Sequence, residues 1–409
     1  MAGCGRDNAN AAPAPANAPV TTITALVWAP DWPQEMQQIA AEFNRQNPGI
    51  RVDLEFMIGD SVEANLKPKI AANQLPDIIS VNPNAYAVTL AEQGILAEVG
   101  RSAAWNNMLD RLKPDWTTPG NRHYGIAGGV AATLIYYNKS LFERAGVTAL
   151  PTDFEQFLAL CEQLKRAGIA PIMWNGGFPN TLANGPFSFG FANHVVARTP
   201  DWKRRIADGS LALDTPEGAA IFSEIKLIAR RGYAQPDYMR AGYDEGIALF
   251  TEGKTAMAFH GTWASGMLMN GKGFQTGVFV PPWNARGAPV VPVIGSETGF
   301  AVCETRNKKA AMQFLEFLFG PGLAIQQNKR HNIAPLKQAS GEPAGDAQIA
   351  AYIERVGKAP LTASPYYSFL PAGTIEMLHP LLQDVLQDKV TPRQAARALE
   401  QSIKREARL

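Results

Sequence analysis

Length, composition and charge limit the classes of protein to which this chain can belong. Its 409 residues exceed what one hydrophobic core usually organises, so we expect two domains. A hydrophobic content of 46%, a charged content of 18% and a net charge of +1 are typical of a soluble globular protein. The basic residues form no stripe of the kind that binds nucleic acid, and no apolar run approaches the ~20 residues that span a membrane.

The first segment, residues 1–19, is polar and rich in Ala, Pro and Asn, a composition that predicts a flexible tether. Within it, Ala2 and Gly3 precede Cys4, and small residues before a cysteine resemble the cleavage site of bacterial lipoproteins, where the cysteine is acylated. The alternative is an ordinary residue in a disordered tail. The cysteine spacings fit neither a zinc site nor a redox pair. Cys161 is on the apolar face of a predicted helix and Cys303 is in a predicted strand, so both are expected in the core.

The next segments alternate between strand and helix patterns. Apolar and β-branched runs predict strands at 22–28, 50–57 and 76–81, and helical periodicity predicts a helix at 34–46. This order predicts a parallel sheet with right-handed crossovers. Ligands bind such sheets at the carboxyl ends of the strands, so the loops after Trp28 and Val81 are candidate binding loops.

The remaining two thirds of the chain contain more helix. Residues 133–137 predict a strand that leads into a short helix ended by Gly146, and Thr152 with Glu155 has the spacing of a capping box for a helix through Ala167. Pro at the first helical position predicts two further helices, which begin at Pro216 and Pro392. The other predicted elements are strands at 170–173, 255–259, 278–280 and 298–302 and a helix at 308–319.

Five sequence blocks resemble a known family in content and in order. They are residues 28–52, 76–99, 136–157, 250–263 and 295–302. Together they resemble the extracellular solute-binding proteins of ABC importers, specifically the sugar-binding group that includes maltose-binding protein. That group often has Trp after the Thr of the second helix start, where this chain has Asp153, and maltose-binding protein has Glu where this chain has Ala131. Maltose itself is therefore not implied.

The resemblance implies an α/β, two-lobed periplasmic-binding-protein fold, in which each lobe is a central sheet flanked by helices. Three hinge crossings would fall near Gly128, 282–295 and 333–335. Lobe one would hold 20–128 plus 296–333, and lobe two would hold 129–290 plus 336–409. The implied function is an extracytoplasmic subunit that captures a sugar or oligosaccharide by hinge closure and delivers it to permease subunits. It would be a monomer attached to the membrane only through lipidated Cys4, or periplasmic, with no catalytic activity, cofactor, metal or nucleic acid.

Candidate ligand-binding residues follow from the chemistry of a pyranose, whose C–H faces suit aromatic rings and whose edges suit polar groups. Each candidate also has a structural interpretation: core packing for the aromatic residues, helix capping for Asp31, turn formation for Asn82 and Asn84, and a surface salt bridge for Glu297. In the family, an aromatic matching Trp263 often stacks on the sugar, and an aromatic near Tyr366 closes over it. The candidates are Asp31, Trp32, Asn82, Asn84, Trp174, Asn175, Trp263, Glu297, Tyr366 and Tyr367.

Two other functions stay open. A carbohydrate-active enzyme would need two carboxylates across the cleft, for which Asp31 and Glu297 are conceivable. The five histidines are scattered, however, and no metalloprotease or serine-hydrolase motif is present. The same fold could instead bind a charged solute such as glycerol 3-phosphate, which would need Arg, Lys or helix N-termini in the cleft.

Overall fold

The computed structural model describes residues 19–29, 32–58, 62–330, 333–337 and 346–407, with the side chains of 327–330 excepted. Residues 1–18 of the tether, Cys4 among them, and Asp31 therefore lie outside the described residues. Within the described part, no helix combines the length and the apolar character that crossing a membrane requires. The strands are β1 Thr21–Val27, β2 Ile50–Phe56, β3 Ile78–Val81, β4 Val130–Asn138, β5 Ala170–Met173, β6 Thr255–Gly261, β7 Thr276–Phe279, β8 Ile294–Ser296 and β9 Gly299–Val302.

The helices outnumber the strands and cover both sheets. They are α1 Pro33–Gln46, α2 Val62–Ala71, α3 Ala85–Glu92, α4 Ala103–Asn107, α5 Lys139–Arg144, α6 Phe154–Arg166, α7 Asn180–Leu182, α8 Ser188–Gly190, α9 Trp202–Ala207, α10 Pro216–Arg230, α11 Tyr243–Thr251, α12 Ser265–Leu268, α13 Lys308–Leu318, α14 Pro321–Arg330, α15 Ala347–Gly357, α16 Ala372–Leu386 and α17 Pro392–Glu406. Turns of π-helix at Ala183–Phe187 and Phe191–Val195 join α7 and α8 into one irregular helical stretch.

Two separate sheets confirm the predicted two-lobed α/β architecture. The first sheet has the order β2-β1-β3-β9, and the second has the order β5-β6-β4-β7 with β8 paired to β4. The parallel arrangement predicted for the first three strands is confirmed. β9 extends this sheet antiparallel to β3, and in the second sheet β5 and β6 pair parallel while β4 pairs antiparallel with β6, β7 and β8. Large buried apolar clusters cover both sheets, and Cys161 and Cys303 are buried in them as expected.

The start of α6 differs from the predicted capping box. Asp153, not Thr152, is the N-cap: its carboxylate accepts a hydrogen bond from the Gln156 N–H at 2.9 Å. The Gln156 side chain then donates to Asp153 at 2.7 Å and accepts from the Thr152 N–H at 3.2 Å. An aspartate is a stronger cap than the threonine beside it and interacts favourably with the helix dipole, so the helix begins one residue later.

Three chain segments run side by side between the two sheets. Ile126 and Phe300 exchange backbone hydrogen bonds of 2.9 Å, the Glu297 N–H donates to Gly129 O at 3.0 Å, and the Val130 N–H donates to Ile333 O at 3.0 Å. These segments lie at or next to the stretches where the hinge crossings are predicted, near Gly128, 282–295 and 333–335. The segments pack so closely that a Cβ at Gly128 would lie 2.2 Å from the carbonyl oxygen of Thr298.

Candidate functional site

A cavity of about 470 Å³ lies between the two sheets and is lined by residues from both. On the first side, Trp28, Met57 and Asn82 follow the carboxyl ends of β1, β2 and β3, and Thr298 precedes the antiparallel β9 at the same edge. On the second side, the lining comes from the segment between β5 and α7, from α7 and the π-helical turn after it, and from the segment after β6. The first turn of α11, the first two turns of α16 and the segment before α16 complete it. The cavity thus occupies the position that the strand order of the first sheet predicts.

The wall on the first side combines indole rings with amides. Trp32 is buried and packs edge-on against Phe300, with ring centroids 6.4 Å apart. Asn82 accepts a hydrogen bond from the Thr298 hydroxyl at 2.6 Å, which joins the end of β3 to a crossing segment. Asn84 caps α3 by accepting from the Ala87 N–H at 3.1 Å. Asn82 and Asn84 therefore line the cavity while their carbonyl oxygens hold the loops in place.

Aromatic rings form a continuous band on the second side. Trp263 lies next to Tyr367 at a centroid distance of 6.4 Å, and Tyr367 lies next to Tyr366 at 5.7 Å. Behind them, His260 contacts both Trp263 and Tyr243, at 5.8 and 5.3 Å. The Trp263 ring lies over Gly261, where a Cβ would come within 2.1 Å of it, so the glycine permits the ring to occupy this position.

The position of Trp263 is tied directly to the strand that leaves the crossing. The hydroxyl of its neighbour Thr262 donates to Val130 O at 2.9 Å and accepts from the Ala132 N–H at 3.2 Å. The Tyr136 hydroxyl donates to Gly261 O at 3.0 Å. Val130 and Ala132 are the first residues of β4, so the aromatic band is anchored to the start of that strand.

A chain of polar side chains runs beside the aromatic band. The Asn184 amide donates to Asn180 Oδ1 at 2.7 Å, and the Asn180 amide donates to the Tyr366 hydroxyl at 2.9 Å. The hydroxyl is in turn 3.0 Å from His379 Nε2. Asn184 is 4% exposed, and its Oδ1 has no hydrogen-bond partner within the protein. The chain therefore presents a buried acceptor at the cavity wall, a costly arrangement when it stays unsatisfied.

The electrostatic character of the described lining is acidic. It contains Glu63, Asp244, Glu297 and Glu376 and no lysine or arginine. Burial raises the pKa of the Glu63 carboxyl from its ordinary value of 4.5 to about 7; nearby Lys67 opposes this shift, and Glu376 and Glu406 add to it. In the part of the chain that the structure describes, no group of three His, Cys, Asp or Glu side chains is arranged to hold a metal ion.

The predicted site residues divide into three groups. Trp32, Asn82, Asn84, Trp263, Glu297, Tyr366 and Tyr367 line the cavity, and Asp31 lies outside the described residues. Trp174 and Asn175 do not line the cavity.

Trp174 contacts the 235–242 segment instead. Its backbone exchanges two hydrogen bonds with the Gln235 side chain, and its ring packs against Tyr238. The Asn175 amide donates to Gly242 O at 2.6 Å and Tyr243 O at 3.0 Å, so it positions the start of α11.

Sequence reasoning missed several lining residues, among them Asn180, Asn184, Tyr243, Asp244, Glu63 and His379. Most of them lie in first turns of helices or in the irregular stretch after β5, where the sequence has no alternation that separates lining from core. The one available signal was the cluster of Asn, Gly and Pro at 180–186, which is unusual inside a helix. The π-helical turns found there are often associated with functional sites.

Comparison with known proteins gives consistent matches along most of the chain. The sequence model described as bacterial extracellular solute-binding protein matches residues 29–325. A periplasmic-binding protein of an ABC transporter from Escherichia coli K12 is 23% identical over 322 residues, which cover 72% of this chain and 70% of the relative.

Solved structures share the fold at low sequence identity. A chitin oligosaccharide binding protein superposes with a TM-score of 0.83 at 20% identity, covering 95% of this chain and all of that one. A sugar transporter protein from Bacillus licheniformis in complex with stachyose superposes with a TM-score of 0.80 at 18% identity, with the same coverage.

Proposed function

The chain belongs to the bacterial extracellular solute-binding protein family, and from this premise we propose that it captures a sugar or oligosaccharide for an ABC importer. The observation that carries the proposal is the cavity itself. One side presents a band of aromatic rings, Trp263, Tyr366 and Tyr367, and both sides present amides and carboxylates at its edges. Flat rings suit the C–H faces of a pyranose, and polar groups suit its hydroxyls.

The size of the cavity supports a ligand of one to a few rings. Small-molecule sites typically measure roughly 300–1,000 Å³, and this one measures about 470 Å³. The solved relatives that are named for a chitin oligosaccharide and for stachyose share the fold, although their identity of 20% or less does not transfer a ligand to this chain.

We infer that capture proceeds by closure about the three adjacent crossing segments, between lobe one (20–128 plus 296–333) and lobe two (129–290 plus 336–409). A ligand that contacts Trp32 and Asn82 on one side and Trp263 and Tyr367 on the other interacts fully only when both sides approach it. It would therefore bind the closed form more tightly than the open form, and this difference in affinity drives closure.

The acidic lining argues against the anionic solute considered from the sequence. A glycerol 3-phosphate would need cationic donors, and the described lining contains none from lysine or arginine. A carbohydrate-active enzyme is also disfavoured, because the matching family and the relatives are binding proteins.

The family assignment also supports a cellular context for the proposal. The protein would work as a monomer outside the cytoplasm and dock onto permease subunits, with lipidation of Cys4 as the proposed attachment. Metabolic labelling with a fatty-acid analogue tests that attachment. Label should enter the wild-type protein and be lost in Cys4→Ser, and label in neither protein would contradict it.

The function is tested by calorimetric titration with mono- and oligosaccharides, with glycerol 3-phosphate as the anionic control and recovery of the intact sugar as the check against hydrolysis. A ligand at ~100-fold its Kd should also add ~2.7 kcal/mol to the free energy of unfolding. Binding of a sugar that is recovered unchanged would support the proposal. Binding of the phosphate alone, or release of hydrolysed sugar, would contradict it.

Removal of the Trp263 ring is expected to weaken sugar binding by roughly 10- to 100-fold, since a stacked aromatic contributes about 1–3 kcal/mol to such contacts. Trp263→Ala is the variant, and Trp263→Phe is the matched control, which keeps a ring over Gly261 and should lose much less affinity. Titration calorimetry with the best sugar measures both. Equal affinities for wild type and Trp263→Ala would show that the ring lines the cavity without contributing to sugar binding.

A further inference from the structure

One carboxylate of the cavity is buried with one of its two oxygen atoms lacking a hydrogen-bond partner. Glu63 lies in the first turn of α2, is 5% exposed, and has an Oε1 atom with no hydrogen-bond partner. Lys67, one turn further along the helix, is exposed, and its ammonium lies over the Tyr86 ring, 5.5 Å from the centroid. A buried carboxylate oxygen in this condition is costly, and a cationic donor would remove much of the cost.

A second carboxylate approaches Glu63 from the other side of the cavity. Glu376 lies in α16 and lines the same cavity, and Glu406 at the end of α17 is close enough to act on Glu63 electrostatically. The negative charge of Glu376 disfavours ionisation of Glu63, and a cation bound next to Glu63 would oppose that effect.

The surroundings favour an organic cation over a metal ion. The described residues contain no group of three His, Cys, Asp or Glu side chains arranged for a metal. An ammonium group needs fewer ligands, since it offers three N–H donors to separate acceptors and is also attracted to the faces of aromatic rings. Both kinds of partner are present here, as carboxylates and as the Tyr and Trp rings of the lining.

We propose that the captured solute is a saccharide that bears a protonated amine, held between Glu63 of lobe one and Glu376 of lobe two. This inference rests on the proposed sugar-binding function and narrows the class of sugar. The rings and amides would bind the pyranose, and the two carboxylates would bind its ammonium group. The ammonium group would then contribute to closure as well as to affinity.

Matched sugar pairs test the proposal. Each pair has the same ring and linkage and differs in one substituent: glucosamine against glucose, galactosamine against galactose, and β-1,4-linked glucosamine oligomers against the glucose oligomers. In calorimetry at pH 7, the amine member of at least one pair should bind 10-fold or more tightly than its hydroxyl partner. If the hydroxyl members bind equally well or better, the amine proposal falls and the sugar-binding function stands. If no member of any pair binds, both are contradicted.

Variants then assign the effect to residues. Glu63→Gln and Glu376→Gln should each lower the ratio of amine affinity to hydroxyl affinity toward one. Glu354→Gln is the matched control, because Glu354 is an exposed carboxylate of α15 that pairs with Lys358 outside the cavity. An unchanged ratio in both cavity variants would overturn the proposal. Circular dichroism confirms that each variant is folded before its ratio is compared.

The pH dependence gives a readout that a structural role for Glu63 would not produce. The groups that act on this carboxyl are Lys67 on its own helix and Glu376 and Glu406 on α16 and α17, and its pKa is raised to about 7. The ammonium binds the ionised form, so affinity for an amine monosaccharide should rise roughly 10-fold or more from pH 5 to pH 7. The amine of such a sugar, with a pKa near that of an α-amino group at roughly 7.7, stays mostly protonated over this range. Affinity for the hydroxyl partner should change little, and a parallel rise for both sugars would contradict the proposal.

The ligand-free protein should show the opposite trend. Because folding raises the pKa of Glu63, its contribution to stability is present below pH 4.5 and is lost as the pH rises through about 7. Glu63→Gln should therefore unfold at a higher temperature than wild type at pH 8, and this advantage should shrink at pH 4.5. A variant that is equally destabilised at both pH values would show that Glu63 is already satisfied within the protein.

Discussion

A Gly128→Ala variant should unfold with a free energy about 3 kcal/mol lower than that of the wild-type protein. Gly128 lies where the first crossing segment passes the second, and a Cβ at this position would lie 2.2 Å from Thr298 O. The two backbone segments are hydrogen bonded to each other on either side of this contact. The Glu297 N–H donates to Gly129 O, and Ile126 and Phe300 exchange backbone hydrogen bonds. Neither side can move without breaking these bonds, so the overpacking cost is at the upper end of its usual range.

Urea unfolding measures this change, and Gly49→Ala is the matched control. A Cβ at Gly49 meets no atom within 4 Å, so that variant should be neutral or slightly stabilising. The two substitutions are chemically identical, and only the packing of the site differs. If Gly128→Ala unfolded at the same urea concentration as Gly49→Ala, the close contact of the crossing segments would not exist in solution.

Acid should destabilise the protein through one buried imidazole. His260 is 2% exposed in β6, and burial lowers its pKa from its ordinary value of 6.5 to about 3. Its Nδ1 accepts the Gly261 N–H at 3.0 Å, which fixes the proton of the neutral ring on Nε2. Because the folded state resists protonation, the stability that this histidine contributes is present above pH 6.5 and is lost as the pH falls toward 3. The full loss is on the order of 5 kcal/mol.

The measurement is the free energy of unfolding of wild type and His260→Asn between pH 4 and pH 8. Asparagine retains an acceptor at the position of Nδ1 and cannot be protonated in this range. The difference between the two proteins should be constant near pH 8 and should move in favour of the variant as the solution is acidified. A difference that stays constant down to pH 4 would mean that His260 is accessible to protons in the folded state.

The local elements could be predicted because their signals are local. The alternation at Thr21–Val27 and Ile50–Phe56 and the apolar face of Pro33–Gln46 are properties of short stretches, and all three elements form where expected. The antiparallel insertion of β9 beside β3 could not be predicted in this way, since its partner residues are more than 200 positions apart in the chain. The resemblance to a family predicted a strand in this stretch and its return to lobe one, but not its antiparallel orientation.

The candidate site also combines residues that local sequence signals indicate with residues that only tertiary contacts bring together. Trp32 and Trp263 could be proposed from their position after strand ends, and both lie at the cavity. Trp174 follows a strand end as well, but the Gln235 side chain holds its backbone and Tyr238 covers its ring. The pairing of Asn180 with Tyr366 joins residues 186 positions apart, and no pattern in either segment indicates it. Contacts of this kind depend on tertiary packing, which composition and periodicity do not encode.

The bonds between Thr262 and the start of β4 have a mechanical consequence for the closure proposed above. Because Thr262 is hydrogen bonded to Val130 and Ala132, the Trp263 ring lies close to the axis of the proposed rotation and not far out in the second lobe. In a rotation about residues 126–130, points close to the axis travel least. The indole would keep nearly the same place relative to the first sheet in both states, so a sugar could settle on it before the lobes move.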